Sequence, residues 1–189
     1  MIVTGFLGSP RKAGNTNTLL QVLLNGAAGQ GAVTETVFLH DLNIQACQGC
    51  YRCEATGKCA LVDGMAPLYE KVRVSDAVVL ATPIYFHYVT AQTKLFLDRL
   101  YCFIDVVNQR QSRLTRQRPG AIVLTYEHPD PNRYLHVARD QEAIMNRFNF
   151  QVIETIVQPG LGKNAAPTIP ADALKRAFDC GARLGAEGR

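Results

Sequence analysis

Three apolar runs, residues 2–7, 77–81 and 121–124, constrain the fold of this chain more than any other feature. A strand that is apolar at successive positions must be covered on both faces, which is the condition of a parallel sheet inside an α/β protein. Helical spacing separates these runs. Leu19, Leu20, Leu23 and Leu24 predict a first helix that closes near residues 26–31. Further helices are expected at about 65–72, 90–106, 134–147 and 170–184, and two more strands at 34–39 and 152–157. Five β-α repeats call for an open parallel sheet with helices on both faces. Glu35 and Glu154 interrupt the second and fifth strands, as solvent-touching edges do, so the expected order is 2-1-3-4-5. Ligands of such sheets bind beyond the carboxyl ends of the strands, at the switch between the first and third. The loops that matter are therefore 8–18, 82–90 and 125–132, with a cysteine-rich loop at about 44–62 on the same rim.

The 189 residues suit one domain, spanning 1–189. A net charge of +4 falls short of the concentrated basic footprint of a nucleic-acid binder. One uneven stretch lies between Asp105 and Glu127, where Arg110, Arg113, Arg116 and Arg118 meet no acid. It reads as a solvated connection before a strand, with a site for the phosphates of NADPH as the alternative. Met1-Ile2-Val3 leads straight into a strand with no signal-peptide pattern, and no apolar run approaches a membrane span. No membrane association and a reducing cytoplasm are the expected setting.

Cys47-x2-Cys50-x2-Cys53-x5-Cys59 is the densest chemical signal. Three thiols within seven positions suit a chain wrapped around a compact iron–sulfur cluster. Structural zinc more often uses two separated Cys pairs. A disulfide pair with spare thiols, which a reducing cytosol disfavours, or thiols packed as small hydrophobes in a turn, also fits the residues. Cys102 and Cys180 fall in helix-like segments and read as core.

The loop Gly8-Ser9-Pro10-Arg11-Lys12-Ala13-Gly14-Asn15-Thr16-Asn17-Thr18 is rich in anion-binding groups. Its hydroxyls donate, Arg11 adds a charged fork, and the helix that follows points free N–H groups into it. It lacks both Gly-x4-Gly-Lys-Ser/Thr and Gly-x-Gly-x2-Gly. An ordinary capped helix start is the plainer reading.

Gly8-Ser9-Pro10-Arg11 with Gly14-Asn15-Thr16, then Thr82-Pro83-Ile84-Tyr85-Phe86, then Lys94-x3-Asp98-Arg99, resembles the NADPH-dependent FMN reductases of the flavodoxin-like superfamily. The likeness runs to about the fourth strand. With the cysteine run added, the chain is most similar to the iron–sulfur flavoproteins. The resemblance implies a flavodoxin-like fold, FMN, and a [4Fe–4S] cluster on Cys47, Cys50, Cys53 and Cys59. It implies that Ser9, Arg11, Asn15, Thr16 and Thr18 hold the FMN phosphate, and that Pro83, Ile84, Tyr85 and Phe86 lie along the isoalloxazine ring. Tyr126 is the candidate at the pyrimidine edge. Pro83 is expected to end the third strand, and Tyr85 or Phe86 to offer a stacking face, there being no tryptophan. His87 reads as an incidental loop residue, with proton donation near the ring as the alternative.

The activity implied is flavin-centred electron transfer with no side-chain nucleophile. Electrons pass from NAD(P)H or a ferredoxin-type donor to a small acceptor such as a quinone, a flavin, a nitro compound or oxygen, in a homodimer or homotetramer. The helix carrying Lys94 and Asp98 reads as architecture or subunit contact. The alternatives are a flavodoxin-like electron carrier, which the mild positive charge disfavours, and a zinc-holding binding module. The chain departs from the iron–sulfur flavoprotein pattern at Asp63-Gly64-Met65, where an Asp-Asp-Met is expected, and at 126–131, which lacks the expected glycine turn.

Overall fold

The computed structural model describes residues 1–162 and 169–186. Along the chain run β1 (Ile2–Leu7), α1 (Asn15–Ala28), β2 (Val33–Phe38), α2 (Arg52–Thr56), α3 (Ala66–Val74), β3 (Ala77–Tyr85) and α4 (Ala91–Arg99). Then follow β4 (Arg118–Thr125), α5 (Leu135–Arg147), β5 (Phe150–Gln158) and α6 (Ala171–Ala186). The five long strands form one parallel sheet in the order 2-1-3-4-5, the flavodoxin-like arrangement the apolar runs predict.

Alternation along the central strands sends side chains to two separate cores. Phe6, Val78, Leu80, Ile122 and Leu124 meet α3, α4 and α5, through Leu68, Phe96 and Met145 among others. Val3, Leu7, Val79, Ala81 and Val123 meet α1 and α6, through Leu20, Leu23, Ala177 and Leu184. Each buried leucine contributes about 1.5–3 kcal/mol, so both layers stabilise the sheet between its helices. The edge strands carry an exposed Glu35 and a half-buried Glu154 and tether both to helices. Lys71 of α3 reaches Glu35 at 2.5 Å, while Arg176 and Arg183 of α6 reach Glu154 at 2.7 and 2.8 Å.

Helices α1 and α6 pack with their backbones in near contact. A Cβ on Gly181 would lie 1.8 Å from the Leu23 carbonyl, and one on Gly26 would lie 2.2 Å from that of Phe178. Only glycine permits this approach.

Three expectations are corrected. First, β3 does not stop before Pro83 but continues to Tyr85, with Pro83 opposite Thr125 of β4. The Ala81 carbonyl turns toward β1, accepting from Gly8 N at 2.8 Å. Two residues on, Pro83 turns the same way, past the end of β1, so its missing N–H removes no ladder bond. Second, the helix expected at 90–106 ends at Arg99. It tightens into a 3₁₀ turn, Leu100–Phe103, and then pairs Ile104–Asp105 with Gln111–Ser112. Third, the arginine stretch is only partly a solvated connection: Arg110 and Arg116 are exposed, but three of its arginines are bonded into the fold. Arg113 donates to the Glu54 carbonyl at 2.8 Å, and Arg116 pairs with Asp76 at 2.6 Å. Arg118 begins β4 and is 4% exposed; it donates to the carbonyls of Val72, Arg73 and Ser75, closing the end of α3. Three of the four guanidinium groups thus serve the fold, while Arg110 is exposed.

Candidate functional site

A cavity opens at the carboxyl rim of the sheet where the first and third strands diverge. Its walls are Ser9, Arg11, Gly14, Asn15 and Thr16 from the first loop, and Pro83, Ile84 and Tyr85 from the end of β3. Thr125, Tyr126 and Glu127 follow β4 into it, and Leu161 and Gly162 follow β5. Two chemistries thus face each other: a hydroxyl- and amide-rich loop with one cation, and a largely apolar shelf.

The polar wall is held from behind. Gly14 takes the cap position of α1, and among the described residues no side chain caps that helix. Its first-turn N–H groups and the positive end of its dipole therefore have no side-chain acceptor from the cap position. This differs from the ordinary capped start, in which Asn or Ser would occupy the position. The buried Thr16 hydroxyl bonds that of Thr125 at 2.6 Å, joining the first turn of α1 to the end of β4. Ser9 Oγ accepts from Arg11 N at 3.2 Å, curling the loop so that the exposed Arg11 reaches the cavity. Beneath it, Thr90 donates to the Gly8 carbonyl at 2.8 Å and shares hydroxyl contacts with Thr93 at 2.9 Å. Thr93 in turn reaches Thr82 at 3.0 Å. This buried hydroxyl lattice locks the first loop, the end of β3 and the start of α4 together.

Eight of the ten residues expected around a flavin come together here: Ser9, Arg11, Asn15, Thr16, Pro83, Ile84, Tyr85 and Tyr126. Two do not. Thr18 lies on the exposed flank of α1, its hydroxyl donating to the Gly14 carbonyl at 3.3 Å. Phe86 is fully exposed. It and His87 form the two-residue loop of a hairpin that pairs Ile84–Tyr85 with Val89–Tyr88, and both adopt left-handed backbone angles, φ 44° and 73°. Such a turn is normally built from Asn and Gly. Thr125 and Glu127 were not named singly, although they fall in the expected loop 125–132; Leu161 and Gly162, in the segment after β5, were not anticipated. Tyr126 is 4% exposed, donates to the Asp130 carbonyl at 3.0 Å and stacks edge-on against Tyr134. Burial first, then the nearby Asp130, raises its phenol above the ordinary range.

The second locus follows β2. Cys47, Cys50, Cys53 and Cys59 line one hollow together with Leu61, Asp98 and Tyr101. All four are free thiols, Cys47 and Cys50 exposed and the other two half-buried. Among the described residues, no three His, Cys, Asp or Glu side chains gather tightly enough to hold a metal ion. Left-handed residues at Gly49, Tyr51 and Gly57 wrap the loop around the short helix α2. Tyr101 OH donates to Glu54 at 2.7 Å and pins that helix to the end of α4. Cys102 and Cys180 are core, as expected, and burial pushes their thiols up to about 12 and about 11.

Arg99 was missed as a functional candidate, and it closes this loop. Its guanidinium is 1% exposed and donates to both Asp63 oxygens, at 2.7 and 3.2 Å, and to the Gln45 carbonyl at 2.8 Å. It therefore clasps both ends of the cysteine segment. Burial alone would raise the Asp63 pKa, but donors from Arg99, Gln45 N and Met65 N outweigh it and hold the carboxyl below its usual range. The departure at Gly64 has a steric cause. A Cβ there would lie 2.9 Å from the Asn43 carbonyl oxygen, so a second aspartate cannot stand beside Asp63 without displacing backbone.

A flavodoxin-like sheet with an uncapped helix start and a hydroxyl-lined loop at its switch point defines a class of α/β proteins that take phosphorylated cofactors at the strand ends. Within that class, residues 1–158 match the model of the NADPH-dependent FMN reductases, and the chain belongs to that family. It is 39% identical over 99 residues to an iron–sulfur flavoprotein of Methanocaldococcus jannaschii, a match covering 52% of this chain and 51% of the relative. It is 32% identical over 121 residues to an iron–sulfur flavoprotein of Methanosarcina thermophila, covering 64% and 61%. The chain spans about half to three-fifths of the length of these relatives. Among solved structures, the fold is similar to an NAD(P)H:quinone oxidoreductase from Methanothermobacter marburgensis, with TM-score 0.76, 16% identity, and 97% of this chain and 96% of that one covered. An FMN-dependent NADH-azoreductase from Bacillus anthracis in complex with FMN gives TM-score 0.74 at 11% identity, covering 97% and 98%. No helix among the described residues is long and apolar enough to cross a membrane.

Proposed function

We propose that this protein is an FMN-dependent oxidoreductase that passes electrons from NAD(P)H or a ferredoxin-type donor to a small acceptor. The acceptor classes are a quinone, a flavin, a nitro compound or oxygen, and a [4Fe–4S] cluster on Cys47, Cys50, Cys53 and Cys59 takes part. The observation that carries this reading is the single cavity in which the uncapped start of α1, Ser9, Arg11 and Thr16 face the shelf of Pro83, Ile84 and Tyr85.

The residues fit the cofactor. Arg11 and the first-turn amides of α1 bind the phosphate, and Thr16, fixed by Thr125, orients it. Pro83, Ile84 and Tyr85 support a flat ring and keep water from one face. Tyr126 closes the far edge. Bound FMN supplies the hydride and single-electron chemistry, while the protein supplies position and electrostatics. The names of the relatives, the shared hollow of four thiols and the Arg99 clasp support the cluster as a second group. It adds one-electron capacity.

The test has two arms. Anaerobically purified protein is expected to show flavin absorption over a broad brown background, with iron and acid-labile sulfide. Zinc in their place would point to the binding-module alternative. Arg11→Ala is expected to weaken FMN binding about tenfold or more while leaving riboflavin, which lacks the phosphate, little changed. Equal losses for both ligands would remove Arg11 and its loop from the phosphate site.

A further inference from the structure

Where a glycine turn is expected after β4, this chain has Tyr126-Glu127-His128-Pro129-Asp130-Pro131, and a second hollow opens there beside the cavity at the strand ends. The two share one wall, Ile84, Tyr126 and Glu127. On the far side stand His128, Arg133 and Tyr134. The loop is fixed in place. Pro129 and Pro131 each lock φ, and Tyr126 OH donates to the Asp130 carbonyl at 3.0 Å. The segment after β5 is tied to it, with Gly160 N donating to the His128 carbonyl at 3.2 Å and Leu161 N to the Tyr126 carbonyl at 2.9 Å.

The hollow combines aromatic walls with one uncommitted cation. Tyr126 and Tyr134 are both buried and meet edge to face at 4.9 Å, and His87 from the hairpin closes on Tyr134 at 5.8 Å. Arg133 is exposed and, among the described residues, makes no ion pair. Its guanidinium lies 5.6 Å from the centre of the Tyr134 ring and commits only Nε, to the Tyr134 hydroxyl at 3.3 Å. Its two terminal NH2 groups, the fork that suits an anionic oxygen pair, are left over. The neighbouring acid does not take them, since Asp130 turns its carboxylate to Asn132 N at 2.9 Å. His128 Nδ1 accepts from Asp130 N at 3.1 Å, which leaves Nε2 as the ring's donor. One carboxylate, the exposed Glu127, stands opposite on the shared wall. One guanidinium and one carboxylate suit a ligand with a single negative charge. A molecule carrying several phosphates would meet too little cation and a repelling acid.

We propose that this hollow is a specificity subsite for the electron acceptor: it takes planar aromatic acceptors that carry one anionic group, a sulfonate or a carboxylate, and Arg133 binds that group. The inference rests on the flavin reading above and goes beyond it by naming the acceptor class and the residue that selects it. The ring lies along Ile84 and Tyr126 toward the flavin cavity, and the anion lies at the Arg133 end, away from Glu127.

The test uses the full chain loaded with FMN and kept oxidised, titrated calorimetrically with anthraquinone sulfonate and with its uncharged sulfonamide. The parent protein is expected to bind the sulfonate about tenfold more tightly than the sulfonamide at low salt. Arg133→Gln should bring that ratio to about one. Glu127→Gln, which removes the opposing charge, should raise it about two- to threefold. Both side chains are exposed, so the variants keep the fold, and a merely structural role would lower both affinities together without moving the ratio. A parent protein with no preference for the sulfonate, or an Arg133→Gln variant that keeps the preference, overturns the inference and leaves the flavin reading standing. Affinity lost for NADP instead of for the sulfonate in Arg133→Gln would assign the cation to the electron donor and overturn it as well. A parent protein that takes up no FMN overturns both.

Discussion

Replacing Asp63 with asparagine tests the clasp that closes the cysteine loop. The carboxylate accepts four hydrogen bonds, two from Arg99, one from Gln45 N at 2.8 Å and one from Met65 N at 3.0 Å. Asparagine offers one oxygen where two are needed and turns an NH2 group toward donors. The side chains of Arg99 and Asp63 are 0% and 3% exposed, so solvent does not screen the pair. Removing one partner of such a pair costs about 3–5 kcal/mol, chiefly because the other charge stays buried without compensation. With a urea m-value of roughly 2–3 kcal/mol/M for a chain of this size, the unfolding midpoint of Asp63→Asn should drop by about 1–2 M. The double variant Asp63→Asn/Arg99→Met should recover part of that loss, since it removes the orphaned charge. Acidity gives an independent check. The Asp63 pKa is lowered in the folded state, so its contribution is present above the unfolded value and is lost as pH falls through the folded one. The parent protein should therefore lose stability below about pH 4, and the variant should lose less over that range. A midpoint shift under about 0.5 M, with no coupling to Arg99, would refute the clasp.

Two further perturbations address the flavin side. Phe86→Asn with His87→Gly places residues suited to left-handed angles in the hairpin turn, and should raise Tm by about 2–4 °C in a thermal scan if the strain is worth about 1 kcal/mol. An unchanged or lower Tm would mean that the aromatic side chains contribute more than the strain removes. Gly8→Ala sets a Cβ 1.8 Å from Thr93 Oγ1, so FMN affinity measured by fluorescence quenching should fall at least tenfold. Adding Thr93→Ala should restore part of it; no rescue would show that the lattice does not position the first loop.

The sheet was legible because its centre is chemically extreme. Residues 77–81 and 121–124 admit no polar face, and Glu35 and Glu154 mark the edges, so strand order followed from burial alone. The start of β4 was hidden because Arg118 and Pro119 read as loop. Only the carbonyls at the end of α3, distant in sequence, make a buried arginine there tolerable. The cavity was legible wherever an element's own periodicity decides direction. Thr16 shares the inward face of α1 with Leu19, Leu20 and Leu23, whereas Thr18 falls on the outward one, a distinction that helical spacing already contained. Phe86 was misplaced because a type of turn that disfavours aromatics gave no local warning. Arg99 was not legible. Its importance depends on Asp63 being folded against it, and nothing in the spacing of 63 and 99 states that.

The glycine seam between α1 and α6 ties a remote surface to cofactor affinity. Gly26 and Gly181 let the two helices touch at the end of α1 opposite the cavity, some eleven residues, or roughly 17 Å, from Asn15. A methyl group inserted at that fulcrum would tilt the whole rod and swing its opposite tip, the one carrying the phosphate-facing amides. Flavin loading should therefore respond to changes in this protein's rear helices that never approach the ligand.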